Sequence, residues 1–243
     1  MLSGSSYRSV ATIAGQRFIG ISWGADLAVF APERKTRIFR VADVPFNSVA
    51  VDRQGRWVAL GADTLPLAAL LDCAPRHEGG AEVEGCDPTP RWLPLTGVPK
   101  AIDLSADGRL LVVATRQALD VIDCETGVVY AVAALDNRVH ALVLSPDGHM
   151  IASAHDDGAV RIWDVPNGAA PDAGHSRPRA ILRGHRERVA SIAYTADGAS
   201  LVSASWDGTT RWWTLAPLGY GSSDDLHGFS TQADVDAMAV DPW

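Results

Sequence analysis

The feature that most constrains this chain of 243 residues is an internal repeat. Aligned on their turn glycines Gly108, Gly148 and Gly198, the segments Val98–Asp123, Arg138–Asp164 and Arg188–Thr214 superimpose. A fainter copy, Phe46–Ala62, turns at Gly55, and the stretch Tyr7–Val41 holds short apolar runs of the same size. Repeats with a period of roughly 20 to 50 residues build solenoids or propellers, because each unit buries its faces on its neighbours. Within each copy the apolar residues alternate or run in short blocks bounded by Asp-Gly turns, the pattern of hairpin-linked strands. The copy around Gly148 reads as strands at Val139–Leu144, Met150–Ala154, Val160–Asp164 and Ala180–Leu182. The expected fold is therefore all-β: a propeller of about five four-stranded antiparallel blades at 8–42, 44–97, 98–137, 138–187 and 188–232.

A single domain over 1–243 is expected, interrupted by an inserted loop at 72–90. The segment 234–243, DVDAMAVDPW, resembles the start of the second copy and reads as the first strand of a partial sixth blade. A ring with an unpaired strand exposes a row of backbone donors and acceptors, so the expected ring is open, or completed by another subunit or a second copy of the chain.

Composition narrows the function classes. Hydrophobic residues make up 47% and charged residues 21%, which fits a packed domain rather than a disordered chain. The formal charge of −8 repels a phosphate backbone, so nucleic acid is not an expected partner, although Arg8, Arg17, Arg34, Lys35, Arg37 and Arg40 leave a basic edge near the start. The sequence holds no apolar run long enough to span a membrane as a helix, and its first residues lack a secretory signal. The three cysteines, Cys73, Cys86 and Cys124, are read as reduced thiols, which points to the cytoplasm and to a fold held without disulfides.

The copy around Gly198 carries Gly184-His185 before its first strand, Ser203 in the second, Asp207 in the next turn and Trp213 closing the third. These residues resemble the WD40-repeat family. The resemblance implies a propeller fold and a hydrogen-bonded structural tetrad of His185, Ser203, Asp207 and Trp213 inside the blade. In the preceding copy it implies a partial tetrad of Ser153, Asp157 and Trp163, incomplete because Leu135 stands where the histidine falls. The third copy has Ile122-Asp123 at the Trp-Asp position, so the resemblance is strong over Val98–Leu215 and rests on pattern alone before that.

Ser, His and Asp together also suggest a hydrolase triad, but these positions recur with the repeat, whereas a nucleophile is a single exposed group oriented by its base. No catalytic residue is assigned. Asp103 is the lone acid in the first strands of the three strong copies, and no phosphate loop or nucleophile elbow is present. Cys73, His77 and Cys86 lie in the insertion, but three soft ligands at long spacing fall short of a tetrahedral zinc site, so neither metal nor cofactor is expected. Trp206 precedes the turn at Asp207 on one rim of the blade. With Arg186, Arg188 and the equivalent Asp156, it forms the candidate partner-binding rim, since Trp and Arg are enriched at interface hot spots. Trp212 and Trp213 face opposite sides of a strand, which puts Trp212 against an adjoining blade. The expected function is a non-catalytic protein-interaction scaffold within a larger complex. The alternative is a regulatory subunit that docks on and gates a catalytic partner, and the third reading is a propeller hydrolase.

Overall fold

The computed structural model describes residues 7–13, 17–22, 26–31, 34–41, 43–74, 76–78, 81–83, 89–166 and 177–215. Strands β1 (Tyr7–Ile13), β2 (Arg17–Ser22), β3 (Asp26–Ala31) and β4 (Arg34–Arg40) make a first antiparallel sheet in which each strand pairs with the next. The second sheet takes β5 (Phe46–Val51), β6 (Trp57–Ala62) and β7 (Leu67–Asp72), and closes with β10 (Arg91–Pro94). Between these last two strands, β8 (Arg76–Glu78) and β9 (Ala81–Val83) form a separate two-stranded ribbon. The insertion at 72–90 thus contains a hairpin, where the sequence had suggested only loop.

A third sheet runs β11 (Ala101–Leu104), β12 (Leu110–Ala114), β13 (Ala118–Asp123) and β14 (Val129–Ala134). The fourth runs β15 (Val139–Leu144), β16 (Met150–His155), β17 (Val160–Asp164) and β18 (Ala180–Leu182), and the fifth shows β19 (Val189–Tyr194), β20 (Ser200–Ser205) and β21 (Thr210–Thr214). No helix occurs among the described residues. The chain is all-β, a succession of antiparallel meanders of the β-propeller type. They fall into two compact units, one holding the sheets up to Asp136 and the other the sheets that begin after it. The strand expected at 234–243 lies outside the described residues.

The repeat is visible bond by bond. Gly55, Gly108, Gly148 and Gly198 each take a φ of 70° to 75°, the left-handed backbone that glycine adopts without a Cβ penalty. In three of these turns a hydroxyl accepts the first amide of the next strand: Leu110 on Ser105 (2.9 Å), Met150 on Ser145 (2.9 Å) and Ser200 on Thr195 (3.0 Å). In the second sheet Asp52 does the same for Trp57 at 2.9 Å. The opening strands β1, β5, β15 and β19 each carry a register shift near their start, a bulge that bends the strand and re-aims its first side chains.

Second strands are buried on both faces, as stacked sheets require: Val58, Ala59 and Leu60 in β6, Leu111, Val112 and Val113 in β12, and Ile151, Ala152 and Ala154 in β16 are fully enclosed. In the first unit one core joins Ala59 and Leu70 of the second sheet to Ile102, Leu111 and Val113 of the third. In the second unit Ala152, Val160 and Ile162 of the fourth sheet pack with Val189, Ile192, Leu201 and Trp213 of the fifth. A fully buried aliphatic side chain contributes about 1.5–3 kcal/mol, so these inter-sheet layers supply most of the cohesion that a lone meander lacks.

Two expectations fail here. Trp212 does not pack on an adjoining sheet but is 46% exposed, and its cross-strand partner Val202 is only half-buried. Nor are all thiols reduced: Cys73 is disulfide-bonded, while Cys124 is free and buried. Burial, followed by the charge of Asp123, pushes the Cys124 thiol up to about 12, so it behaves as a small apolar side chain.

Candidate functional site

Four side chains of the fifth repeat converge inside the second unit. Ser203 leaves the middle of β20, Trp213 the adjacent β21, Asp207 the turn between them, and His185 the loop that enters β19. Trp213 Nε1–H donates to Ser203 Oγ at 2.8 Å, and Ser203 Oγ lies 2.7 Å from His185 Nε2. His185 Nδ1 lies 3.1 Å from Asp207 Oδ2 and 3.1 Å from Thr209 Oγ1. The donors fix the direction of the chain. Because the ionised Asp207 can only accept, the imidazole proton sits on Nδ1, facing the carboxylate, and Nε2 is left to accept the Ser203 hydroxyl proton while the serine oxygen accepts from Trp213.

The electrostatics agree with that tautomer. Burial lowers the His185 pKa and outweighs the nearby Asp207, so the ring is neutral and the contact is a charge-assisted hydrogen bond rather than an ion pair. Burial alone raises the Asp207 pKa, but Thr209, the Arg186 and Thr209 amides and His185 together hold it well below the usual carboxylate range. The rings of His185 and Trp213 meet edge to face, with centroids 6.2 Å apart. Ser203 is 1% exposed and its oxygen is engaged on both sides, so it presents no nucleophile to a substrate.

The fourth repeat departs from the expected partial tetrad. Trp163 Nε1–H donates to Ser153 Oγ at 2.8 Å, as expected, but Asp157 is not part of that chain. Ser153 Oγ instead lies 2.8 Å from Nε2 of His155, a fully buried residue of the same strand. Asp157 turns outward and binds the Arg161 guanidinium through both oxygens, at 3.1 and 2.6 Å. Sequence reasoning missed His155 because it looked for the histidine at Leu135. The available signal was spacing, since two residues along a strand return to the same face.

The candidate rim lies directly above the tetrad. Trp206, in the turn after β20, is 62% exposed, and the Arg188 guanidinium carbon sits 3.2 Å from the centre of its ring. Asp207 reaches from the buried tetrad to accept the Arg186 amide at 2.9 Å. Ser205 Oγ bonds the carbonyls of Glu187 and Arg188, both at 3.0 Å, and the Trp206 amide donates to Arg188 O at 3.1 Å. One repeat earlier the Asp156 amide donates to Arg138 O at 3.0 Å, so Asp156 and Trp206 are structural equivalents. The Asp156 carboxylate is hydrogen-bonded to His140. That bond, ahead of the charges of Arg138 and Arg188, lowers the Asp156 pKa.

Of the cluster in the insertion, the side chains of His77 and Cys86 lie outside the described residues. Among those described, no group of three or more potential metal ligands occurs.

Comparison with known proteins places these features. The family model described as WD domain, G-beta repeat matches residues 127–164 and 176–214. Each match begins near the last strand of one sheet and takes in the first three of the next, so the sequence repeat is offset by one strand from the sheet. The chain is 31% identical over 80 residues to the Target of rapamycin complex subunit LST8 of Saccharomyces cerevisiae, a match covering 33% of this chain and 26% of that protein. It is 32% identical over 114 residues to the Ribosome biogenesis protein WDR12 homolog of Drosophila virilis, covering 44% of this chain and 25% of that one. It is 29% identical over 119 residues to Striatin of Rattus norvegicus, covering 47% and 15%. The chain thus spans about a quarter or less of the length of these relatives.

Proposed function

Because this chain belongs to the WD40-repeat proteins, with repeats at 127–164 and 176–214, we propose that it acts as a non-catalytic interaction platform within a larger protein complex. The contact surface is the rim formed by Trp206, Arg186, Arg188 and Asp156. The observation that carries this reading is the exposed Trp206 ring beneath Arg188, on a loop whose backbone is fastened by Asp207 and Ser205. Large aromatic and guanidinium groups supply most of the energy at protein interfaces, and a surface fixed in advance loses little entropy on binding. The names of two relatives support the setting: one is a complex subunit and another a ribosome biogenesis protein. The net charge of −8 supports protein rather than nucleic acid as the partner.

The test is co-purification of the tagged full chain with its partners, followed by the same experiment with Trp206→Ala. Loss of a stoichiometric partner with an unchanged melting temperature supports the reading. Retention of every partner by that variant and by Arg186→Ala overturns it.

A further inference from the structure

The chemistry of the rim goes further than its exposure. Arg138, Arg186 and Arg188 stand on the loops that enter β15 and β19, in a chain whose acidic residues outnumber its basic ones by 29 to 21. Among the described residues none of these three guanidinium groups makes a hydrogen bond or an ion pair. The nearby carboxylates are committed elsewhere: Asp156 to His140, Asp207 to His185, Thr209 and the Arg186 amide. Arg161 and Arg179 in the same unit are, by contrast, paired to Asp157 and Asp164. The Asp156 amide donates to the Arg138 carbonyl, and the charges of Arg138 and Arg188 both bear on the Asp156 carboxylate, so basic groups of two successive repeats stand near that residue.

Arginine presents five donors in a rigid planar fork that fits a carboxylate bidentately, and stacking on an aromatic ring fixes the fork while leaving its edge open. Arg188 is stacked in this way on Trp206. The loop beneath is tied to the fourth sheet as well as the fifth: a Cβ on Gly158 would come within 2.7 Å of the His185 carbonyl and 3.0 Å of the Glu187 carbonyl. The loop that carries Arg186 and Arg188 is therefore held on both sides, and the loop of Arg138 is tied to the neighbouring turn by the Asp156 amide.

We propose that this rim binds an extended acidic peptide segment of a partner protein, its Asp and Glu side chains bridging Arg138, Arg186 and Arg188 and an apolar side chain resting on Trp206. The inference rests on the rim reading above and adds the chemical class of the partner. Charge complementarity selects the peptide: the forks match spaced carboxylates, while Asp156 and Glu187 on the same rim disfavour the continuous negative charge of a nucleic acid backbone.

The experiment uses fluorescence anisotropy with the full chain and three labelled probes: a peptide of Asp and Glu residues around a central Leu, the same peptide with Lys replacing the acids, and a single-stranded oligonucleotide. The acidic peptide is expected to bind, to weaken as salt rises, and to lose roughly tenfold or more in affinity with Arg186→Gln/Arg188→Gln or with Trp206→Ala. Thermal unfolding confirms that the variants remain folded, and Arg138→Gln, on a separate loop, gives an independent variant. Equal binding of the Lys peptide, tighter binding of the oligonucleotide, or indifference to all the arginine variants overturns the proposal. If the co-purified partner is lost with Trp206→Ala yet retained, independently of salt, by the arginine variants, the rim reading stands and the acidic-partner inference falls.

Discussion

Arg161 closes on Asp157 with two parallel hydrogen bonds in the fourth repeat, and in the fifth the corresponding Asp207 turns away from Arg211 to hold His185. The two aspartates occupy the same turn, and the two arginines the same register opposite Ser153 and Ser203. What differs is the residue entering the blade, Leu135 in one repeat and His185 in the other. Asp207 holds the imidazole offered by the entering loop, whereas Asp157, with Leu135 at that place, holds the Arg161 guanidinium although the buried His155 lies in the same repeat.

The Asp157–Arg161 pair leaves a signature in acid. Arg161, ahead of the smaller opposing effect of burial, holds the Asp157 carboxyl at about 2. A depressed folded pKa contributes stability that is present above the ordinary carboxylate value of about 4 and is lost as pH falls through the folded value. Arg161→Met should therefore make the stability curve shallower between about pH 4 and pH 2. At neutral pH it should lose less than about 1 kcal/mol, because the pair is only partly buried. Urea unfolding across that range measures both effects, and identical acid limbs for parent and variant would refute the assignment.

His185 predicts a second titration at higher pH. Its folded pKa lies below the ordinary value of about 6.5, so the fold favours the neutral ring, and the stability it contributes is present above that value and lost as pH falls below it. Protonation would also turn Nε2 from the acceptor of the Ser203 hydroxyl proton into a donor facing it. His185→Gln should lower stability by about 1–3 kcal/mol at neutral pH and narrow its gap from the parent as pH falls through the histidine range. A gap that does not change with pH would mean that folding leaves the His185 pKa unshifted, and a gap that widens as pH falls would mean that the fold favours the charged ring.

His155 carries a third prediction. It fills with Ser153 and Trp163 the role that His185 fills from the loop entering β19, so His155→Ala should strip the serine of one of its partners and open a cavity, destabilising the fold by about 2–4 kcal/mol. Ser153→Ala should cost less, because it removes no ring. Calorimetric melting of the two variants ranks them, and equal melting temperatures for His155→Ala and the parent would remove His155 from the network.

The contrast between His155 and the sheets shows what the sequence made legible. Strand alternation and Asp-Gly turns are local, and the turns at Gly108, Gly148 and Gly198 reproduce the same hydroxyl-to-amide bonds, so meanders could be read directly. The four residues His185, Ser203, Asp207 and Trp213 stood at a recognisable spacing, and the structure brings them together. His155 was hidden because a buried serine needs a partner but does not specify which strand supplies it. The exposure of Trp212 was illegible for a related reason: strand alternation says which side a residue faces, not whether anything covers that side. The disulfide at Cys73 depends on proximity in space, which spacing along the chain does not encode.

The last prediction separates backbone strain from packing under the rim. Gly158 and Gly208 hold equivalent turns with nearly equal φ angles of 76° and 79°. An alanine at either site meets the left-handed penalty of about 1–2 kcal/mol. At Gly208 nothing lies within 4 Å of the added Cβ, so the penalty should stop there. At Gly158 the Cβ would lie 2.7 Å from the His185 carbonyl, so the loop carrying His185, Arg186 and Glu187 must shift, taking the Asp207–Arg186 bond with it. Gly158→Ala should therefore be the more destabilising of the two by urea unfolding. It should also speed amide exchange at Arg186 and weaken binding at the rim, while Gly208→Ala leaves both close to the parent. Equal losses for the two variants, with exchange at Arg186 unchanged, would show that the loop does not rest on the Gly158 turn and that the rim takes its rigidity from Asp207 and Ser205 alone.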